Sequence, residues 1–285
     1  MKTSITLNWR AVLHAVYGLL IGIAALSGPA KTVRAQLYVS QLGILTVSEY
    51  NAATGDVINA RLISQLSAPN GLAVEGNTLY VANEDGTVGK YDSATGKAIN
   101  SRLITGTLFF PQALVAQGDT LFVACISFGT VGKYDAATGR AINANFITAG
   151  FPSALALLGN RLLVLDANAS VHEYNANTGE ATNANLITRL SAPSGLAAQN
   201  NTLFVADFAR GTVGKYDATT GKAIDANFIT SAGLPTVLAL LDNTLFVANE
   251  TGTIGKYDAT TGQAINANFI TGLQFTAGLA VKSAK

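Results

Sequence analysis

Residues 130–148 read TVGKYDAATGRAINANFIT, and the chain repeats this almost word for word at Thr87 (TVGKYDSATGKAINSRLIT), Thr212 (TVGKYDATTGKAIDANFIT) and Thr253 (TIGKYDATTGQAINANFIT). Aligned on its tyrosine, the motif recurs at Tyr50, Tyr91, Tyr134, Tyr174, Tyr216 and Tyr257, in steps of 41, 43, 40, 42 and 41 residues. Prolines give an independent ruler. Pro69, Pro111, Pro152, Pro193 and Pro235 are spaced 42, 41, 41 and 42. A period near 42 that covers the chain beyond its first 35 residues is the mark of a repeat architecture.

Within one period the pattern is all β. From Pro69, Gly71-Leu72-Ala73-Val74 is a short apolar strand and Gly76-Asn77 a turn. Thr78 to Ala82 (TLYVA) is a second strand, rich in β-branched and aromatic residues. Asn83 to Gly86 turns the chain into a third strand, Thr87 to Tyr91. Asp92-Ser93-Ala94-Thr95-Gly96 is a hairpin loop, in which Asp bonds the backbone ahead of it and Gly supplies a left-handed residue. Lys97 to Ile104 is the fourth and most polar strand.

Four antiparallel strands per period build a propeller or an open solenoid, and the two ends decide between them. The first repeat opens at a second strand, Leu37-Tyr38-Val39-Ser40. The last repeat finishes on Ala277-Gly278-Leu279-Ala280-Val281, the counterpart of Asn70-Gly71-Leu72-Ala73-Val74 and thus a first strand without successors. Pairing residues 276–282 with residues 37–63 closes a ring. The fold expected is an all-β six-bladed β-propeller of four-stranded blades, with the C-terminal strand completing the N-terminal blade and hiding its edge.

The first 35 residues differ in kind. Lys2 and Arg10 precede an apolar run from Ala11 to Leu26, and the segment ends Val33-Arg34-Ala35. A basic start, a short apolar middle and small or apolar residues at the −3 and −1 positions describe a secretory signal cut before Gln36; the alternative is a retained anchor. The domains expected are therefore a signal peptide, 1–35, and the propeller, 36–285, with a secreted or periplasmic destination. Cutting there removes four basic residues and no acid, leaving 14 basic against 17 acidic, a net of −3. No basic cluster remains, which argues against nucleic acid as a partner. Cys125 has no second cysteine to pair with.

LYVANEDGTVGKYDSATGKAI and PNGLAVEGNTLYVAN resemble the extracellular NHL and YVTN families of propeller repeats and, more distantly, the gluconolactonase/regucalcin family. The resemblance runs over residues 37–282. YDATTGKAI is also similar to the quinoprotein dehydrogenase repeat, D-x-x-T-G-K followed by Trp, but no tryptophan follows Trp9 and six blades fall short of that family's eight. Gluconolactonase likeness implies a divalent metal held by carboxylates and an Asn at the start of the innermost strands. Asn70, in PNGL, matches the Asn; the other innermost starts carry no carboxylate.

Repeated positions are explained by geometry: the tyrosine fills the space between blades, and the glycine two residues earlier (Gly89, Gly132, Gly214, Gly255) leaves room for a neighbour's side chain. Function is expected where the repeats disagree. Two variable rings are expected to line the mouth of the central channel. One follows each proline: Asn70, Gln112, Ser153, Ser194, Thr236 and Ala277. The other ends each second strand: Gln41, Asn83, Cys125, Asp166, Asp207 and Asn249. Asn70, Asn83, Gln112, Asp166, Asp207 and Asn249 are the binding candidates. Asp166 and Asp207, on adjacent blades, are the one metal candidate, for Ca²⁺. His172 replaces the strand-three glycine of one blade, in mid-strand and away from the mouth. Asn168-Ala169-Ser170, Asn200-Asn201-Thr202 and Asn249-Glu250-Thr251 match the glycosylation acceptor pattern. No catalytic set and no cofactor motif emerges. The reading is a monomeric binding or scaffolding module for a protein or glycan, using Asn83-Glu84-Asp85, Ser127-Phe128 and Asp207-Phe208-Ala209-Arg210. The alternative is a metal-dependent lactonase using Asn70, Asp166 and Asp207.

Overall fold

The computed structural model describes residues 34–106, 108 and 110–284; the expected signal segment therefore lies almost wholly outside the described residues. Among the described residues twenty-four strands form six four-stranded antiparallel sheets. Blade 1 takes β1 (Gln36–Gln41), β2 (Thr46–Asn51) and β3 (Val57–Ile63), and its inner strand is β24 (Thr276–Lys282). Blade 2 runs from β4 (Pro69–Glu75) to β7 (Ala98–Ile104), and blade 3 from β8 (Pro111–Gln117) to β11 (Ala141–Thr148). Blade 4 runs from β12 (Pro152–Leu158) to β15 (Ala181–Ile187), blade 5 from β16 (Pro193–Gln199) to β19 (Ala223–Ile229), and blade 6 from β20 (Pro235–Leu241) to β23 (Ala264–Ile270).

The ring closes as the sequence requires. Leu37 pairs with Val281 and Val39 with Leu279, so the C-terminal strand completes the first blade. Each inner strand of blades 2–6 starts at its proline, which lacks an N–H and is tolerated at the first residue of a strand. Among the described residues no helix is long and apolar enough to cross a membrane.

The core lies between blades. One apolar cluster joins Tyr80 and Val88 of blade 2 to Leu114, Val123 and Tyr134 of blade 3, and similar clusters join every other adjacent pair. Tyr134 is 1% exposed and packs in the cluster shared with the preceding blade. Truncating an aromatic so buried costs about 3–5 kcal/mol, which explains its recurrence.

The glycine two residues earlier has a different cause from the one expected. A Cβ on Gly132 would meet Cε2 of Tyr134, on the same strand, and Gly89, Gly214 and Gly255 stand to Tyr91, Tyr216 and Tyr257 in the same way. Residues i and i+2 of a strand share a face. In these four blades the ring of the tyrosine folds back over its own strand, into the space the glycine leaves.

The polar outer strands are bulged twice each. In blade 3 Val131 faces Ile147 but Lys133 faces Asn143 and Tyr134 faces Ala141, and the outer strands of the other blades slip alike. An Asn or Asp holds the bulge: Asn143 Oδ1 accepts the Asn145 N–H at 3.0 Å, and Asn59, Asn100, Asn183, Asp225 and Asn266 repeat the bond. Bulges blunt an edge that would otherwise recruit another strand. This is what the INAN of the quoted stretch is for.

Candidate functional site: the mouth of the central channel

A second bulge builds the mouth. In blade 4 Pro152 faces Asp166 and Ala154 faces Leu165, which leaves Ser153 without a cross-strand partner. Gln112, Ser194, Thr236 and Ala277 are the extra residues in their strands, and blade 2 slips in the same place beside Asn70. Bulges re-aim side chains. Here they bring the whole first ring, Asn70, Gln112, Ser153, Ser194, Thr236 and Ala277, into the lining of one cavity of about 390 Å³. Below that collar every blade contributes one leucine: Leu72, Leu114, Leu155, Leu196, Leu238 and Leu279.

The collar is polar and nearly uncharged. Ser153, Ser194 and Thr236 donate their hydroxyl protons to the carbonyls of Leu165 (3.3 Å), Pro235 (2.6 Å) and Ala248 (3.3 Å), leaving lone pairs for an occupant. Asn70 Nδ2 and Thr276 Oγ1 are buried without a hydrogen-bond partner. Glu250 is the one charged residue of the lining.

The second ring is placed elsewhere. None of Gln41, Asn83, Cys125, Asp166, Asp207 and Asn249 lines that cavity. Each ends its strand opposite the first residue of the inner strand, while the bulged neighbour takes the channel position. These side chains fasten the loops instead. The Asp207 carboxylate accepts the N–H groups of Ser191 (3.2 Å), Ala192 (3.3 Å) and Arg210 (3.2 Å), and the Arg210 guanidinium at 3.1 Å. Asp166 accepts from the N–H of Asn168 at 2.8 Å and of Phe151 at 3.4 Å. Gln41 ties Ser48 to Gln274 N, Asn249 takes Thr253 N and the Thr251 hydroxyl, and Asn83 donates to Thr87. Cys125 is buried. Asp166 and Asp207 serve separate loops, and among the described residues no three His, Cys, Asp or Glu side chains gather as a metal site would.

Around the cavity the loops expose several large apolar side chains. Phe275 is 70% exposed, Phe128 57% and Phe151 51%, with Phe110, Ile44, Leu45 and Leu234 also exposed. Phe110 (φ 51) and Phe275 (φ 54) sit in the left-handed region immediately before their inner strands. A bulky residue there costs about 1–3 kcal/mol and is found where a site needs it.

The opposite face carries the repeated D-x-x-T-G loops and a latch. Lys133 lies 5.6 and 4.8 Å from the ring centres of Phe122 and Phe146, and its ammonium donates to the carbonyls of Ala176 (2.9 Å) and Asn177 (3.2 Å) in the next blade. Lys215 reaches Ala259 and Thr260, Lys90 reaches Ala136, and Lys256 reaches Ala52 and Ala53 across the closure. Burial lowers the pKa of Lys133 and Lys256. Blade 1 uses Tyr38, whose hydroxyl donates to Ser93 O at 3.0 Å; burial pushes its pKa up to about 12, so it keeps that proton. In blade 4 Arg161, held by Glu173 at 2.5 Å, donates to Ala218 O. The hydrogen bond and charge of Glu173 raise the Arg161 pKa, and Arg161 lowers that of Glu173.

His172 has closer company than Glu173. Its Nε2 lies 2.8 Å from Ser170 Oγ and 3.7 Å from Asp166 Oδ2, and its Nδ1 bonds the Ala184 carbonyl. That carbonyl belongs to the outer-strand bulge; in blade 1 its counterpart, Ala60 O, takes the Ser48 hydroxyl at 2.7 Å. Of the acceptor-pattern asparagines, Asn168 and Asn200 are exposed while Asn249 is half-buried in its own hydrogen bonds.

Comparisons with known proteins agree on the fold. Residues 106–232, under half the chain, match the PQQ_2 family model, described as outer membrane protein assembly factor BamB. The chain is similar to the crystal structure of a nidogen/laminin complex, at 12% identity and a TM-score of 0.71, covering 88% of this chain and 99% of that one. It is similar also to the computationally designed protein Ika8, at 22% identity and a TM-score of 0.56, covering 83% and 74% of the two chains. No curated protein matches. The chain is a β-propeller.

Proposed function

We propose that this protein is an exported, non-catalytic module that holds a protein partner on its mouth face. The carrying observation is where its six blades differ. The D-x-x-T-G loops are near copies, whereas the mouth loops (Leu42 to Leu45, Glu84-Asp85, Ser127-Phe128, Phe208 to Arg210) differ in chemistry from blade to blade. Repeats that vary on one face only are selected for something on that face. In support, the matching family is that of a protein assembly factor, and the similar nidogen/laminin structure is a complex of two proteins. Export rests on residues 1–35, and the first strand begins at Gln36, the residue after the expected cut.

A photo-crosslinking residue at Phe128, on the mouth, is expected to give protein adducts in the exporting host that the same residue at Thr138, on the latch face, does not. Adducts at neither position, together with turnover of a small ester, would overturn the reading. The lactonase alternative is separated from it by heat. A specific metal at 100 times its Kd adds about 2.7 kcal/mol, so its chelation would lower Tm. Here chelator and Ca²⁺ are expected to leave Tm unchanged, because the Asp207 oxygens already hold three N–H groups and a guanidinium.

A further inference from the structure

We infer that the channel cup seats the uncharged, apolar tip of a loop from the partner polypeptide. This rests on the mouth being the protein-binding face and adds the chemistry of what enters it. The six leucines, mostly buried between blades, add an apolar part to the cup's lining, and its volume of about 390 Å³ suits a few side chains. A charged tip would shed its hydration there with no counter-charge except Glu250 at the lip. The collar suits a turn of backbone above an apolar tip. Ser153, Ser194 and Thr236 have spent their protons on carbonyls and are left as acceptors for N–H groups. Asn70 Nδ2, on a residue 3% exposed, lacks an acceptor.

The rim decides between a polypeptide and a small ligand. An occupant confined to the cup leaves Phe128, Phe151 and Leu45 exposed, as they are now. Only a larger body, one that follows its tip into the channel, also covers them. Exposed apolar surface around a well-formed cavity is the usual anatomy of such an interface.

The test is a phage library of disulfide-closed peptides selected on the full chain. Enriched peptides are expected to carry Leu, Ile, Met or Phe at the tip without a neighbouring charge. A synthetic copy should lose about tenfold or more in affinity when its tip becomes Asp, or when Ser194→Arg or Thr236→Arg fills the cup, since one buried apolar side chain is worth that much. Phe128→Ser should cost roughly threefold. Both arginine variants must keep the parent melting curve, and two positions guard against one misfolding. Charged tips, no enrichment, or an affinity unchanged by both arginines overturns the cup. N-acetyl-leucinamide binding as tightly as the peptide overturns the polypeptide. If Phe275→Asp and Phe128→Asp still abolish binding in those cases, the mouth reading stands and only the cup falls; if they too change nothing, both fall.

Discussion

The two faces of this ring are made from one repeat and obey different rules. On the latch face each blade's D-x-x-T-G loop is pressed against the preceding blade: a Cβ on Gly221 would land on the Leu186 carbonyl oxygen, and one on Gly139 on that of Leu103. On the mouth face the contact varies: a Cβ on Gly252 would land 2.1 Å from the Leu273 carbonyl oxygen, whereas one on Gly272, in the connection between blades, meets nothing within 4 Å. Gly221 and Gly272 both have positive φ, 69° and 77°. Backbone strain is therefore common to the two positions, and the steric contact belongs to Gly221.

Substituting alanine separates those terms and gives the largest effect expected. Gly272→Ala should cost about 1 kcal/mol, the price of a left-handed non-glycine residue. Gly221→Ala adds a backbone clash between blades and should cost about 3 kcal/mol or more, roughly 6–12 °C in Tm. Equal losses would mean that the Leu186 carbonyl gives way to the added methyl group without cost.

The latch lysines come next. Lys133→Met keeps the apolar stem between Phe122 and Phe146 but strips two carbonyls of their donor. A loss of about 1–2 kcal/mol in denaturant midpoint is expected, reduced from the full value of charged hydrogen bonds because the ammonium is partly solvated. Lys97→Met, on an exposed loop position of the same face, should change stability by less than about 0.5 kcal/mol.

What could be read from sequence follows the same division. Period, blade number and closure were legible because they are matters of counting: Pro69 to Pro235, and a lone Ala277–Val281 strand. The first ring was legible because the proline marks it. The second ring was expected at the mouth because each second strand ends on the face where the first begins; the bulge at Ser153 and its equivalents gives the cavity lining to the inner strand instead. The part Lys133 plays was not legible, since its acceptors, Ala176 and Asn177, lie more than forty residues away. Gly132 was assigned to a neighbouring blade when its own strand's Tyr134 explains it.

Blade 4 offers a finer test, since His172 there stands in the glycine position. His172→Gly should cost under about 1 kcal/mol: it removes the imidazole bond to Ala184 O but gives Tyr174 the space its counterparts enjoy. A larger loss, or loss of partner adducts at Phe128, would show that His172, through Asp166 and its bond to Phe151 N, supports the mouth.

The smallest expected effect concerns acid. Asp92, Asp135, Asp217 and Asp258 begin the latch-face loops, and their pKa values are lowered: by the hydroxyls of Thr95 and Thr138 first for Asp92 and Asp135, and by the N–H groups of Thr220 and Thr261 first for Asp217 and Asp258. A carboxylate with a folded pKa below its unfolded value of about 3.9 contributes stability that is present above that value and is lost as pH falls through the folded one. Blades 1 and 4 make the same turn with Asn51 and Asn175, which do not titrate, and accept the same pair of N–H bonds. Replacing all four aspartates by asparagine should therefore lower Tm slightly near neutral pH, where the ionised carboxylates contribute, and flatten its fall below about pH 4. An acid limb identical to the parent's would locate acid sensitivity away from these loops and remove titration from the contrast between the faces.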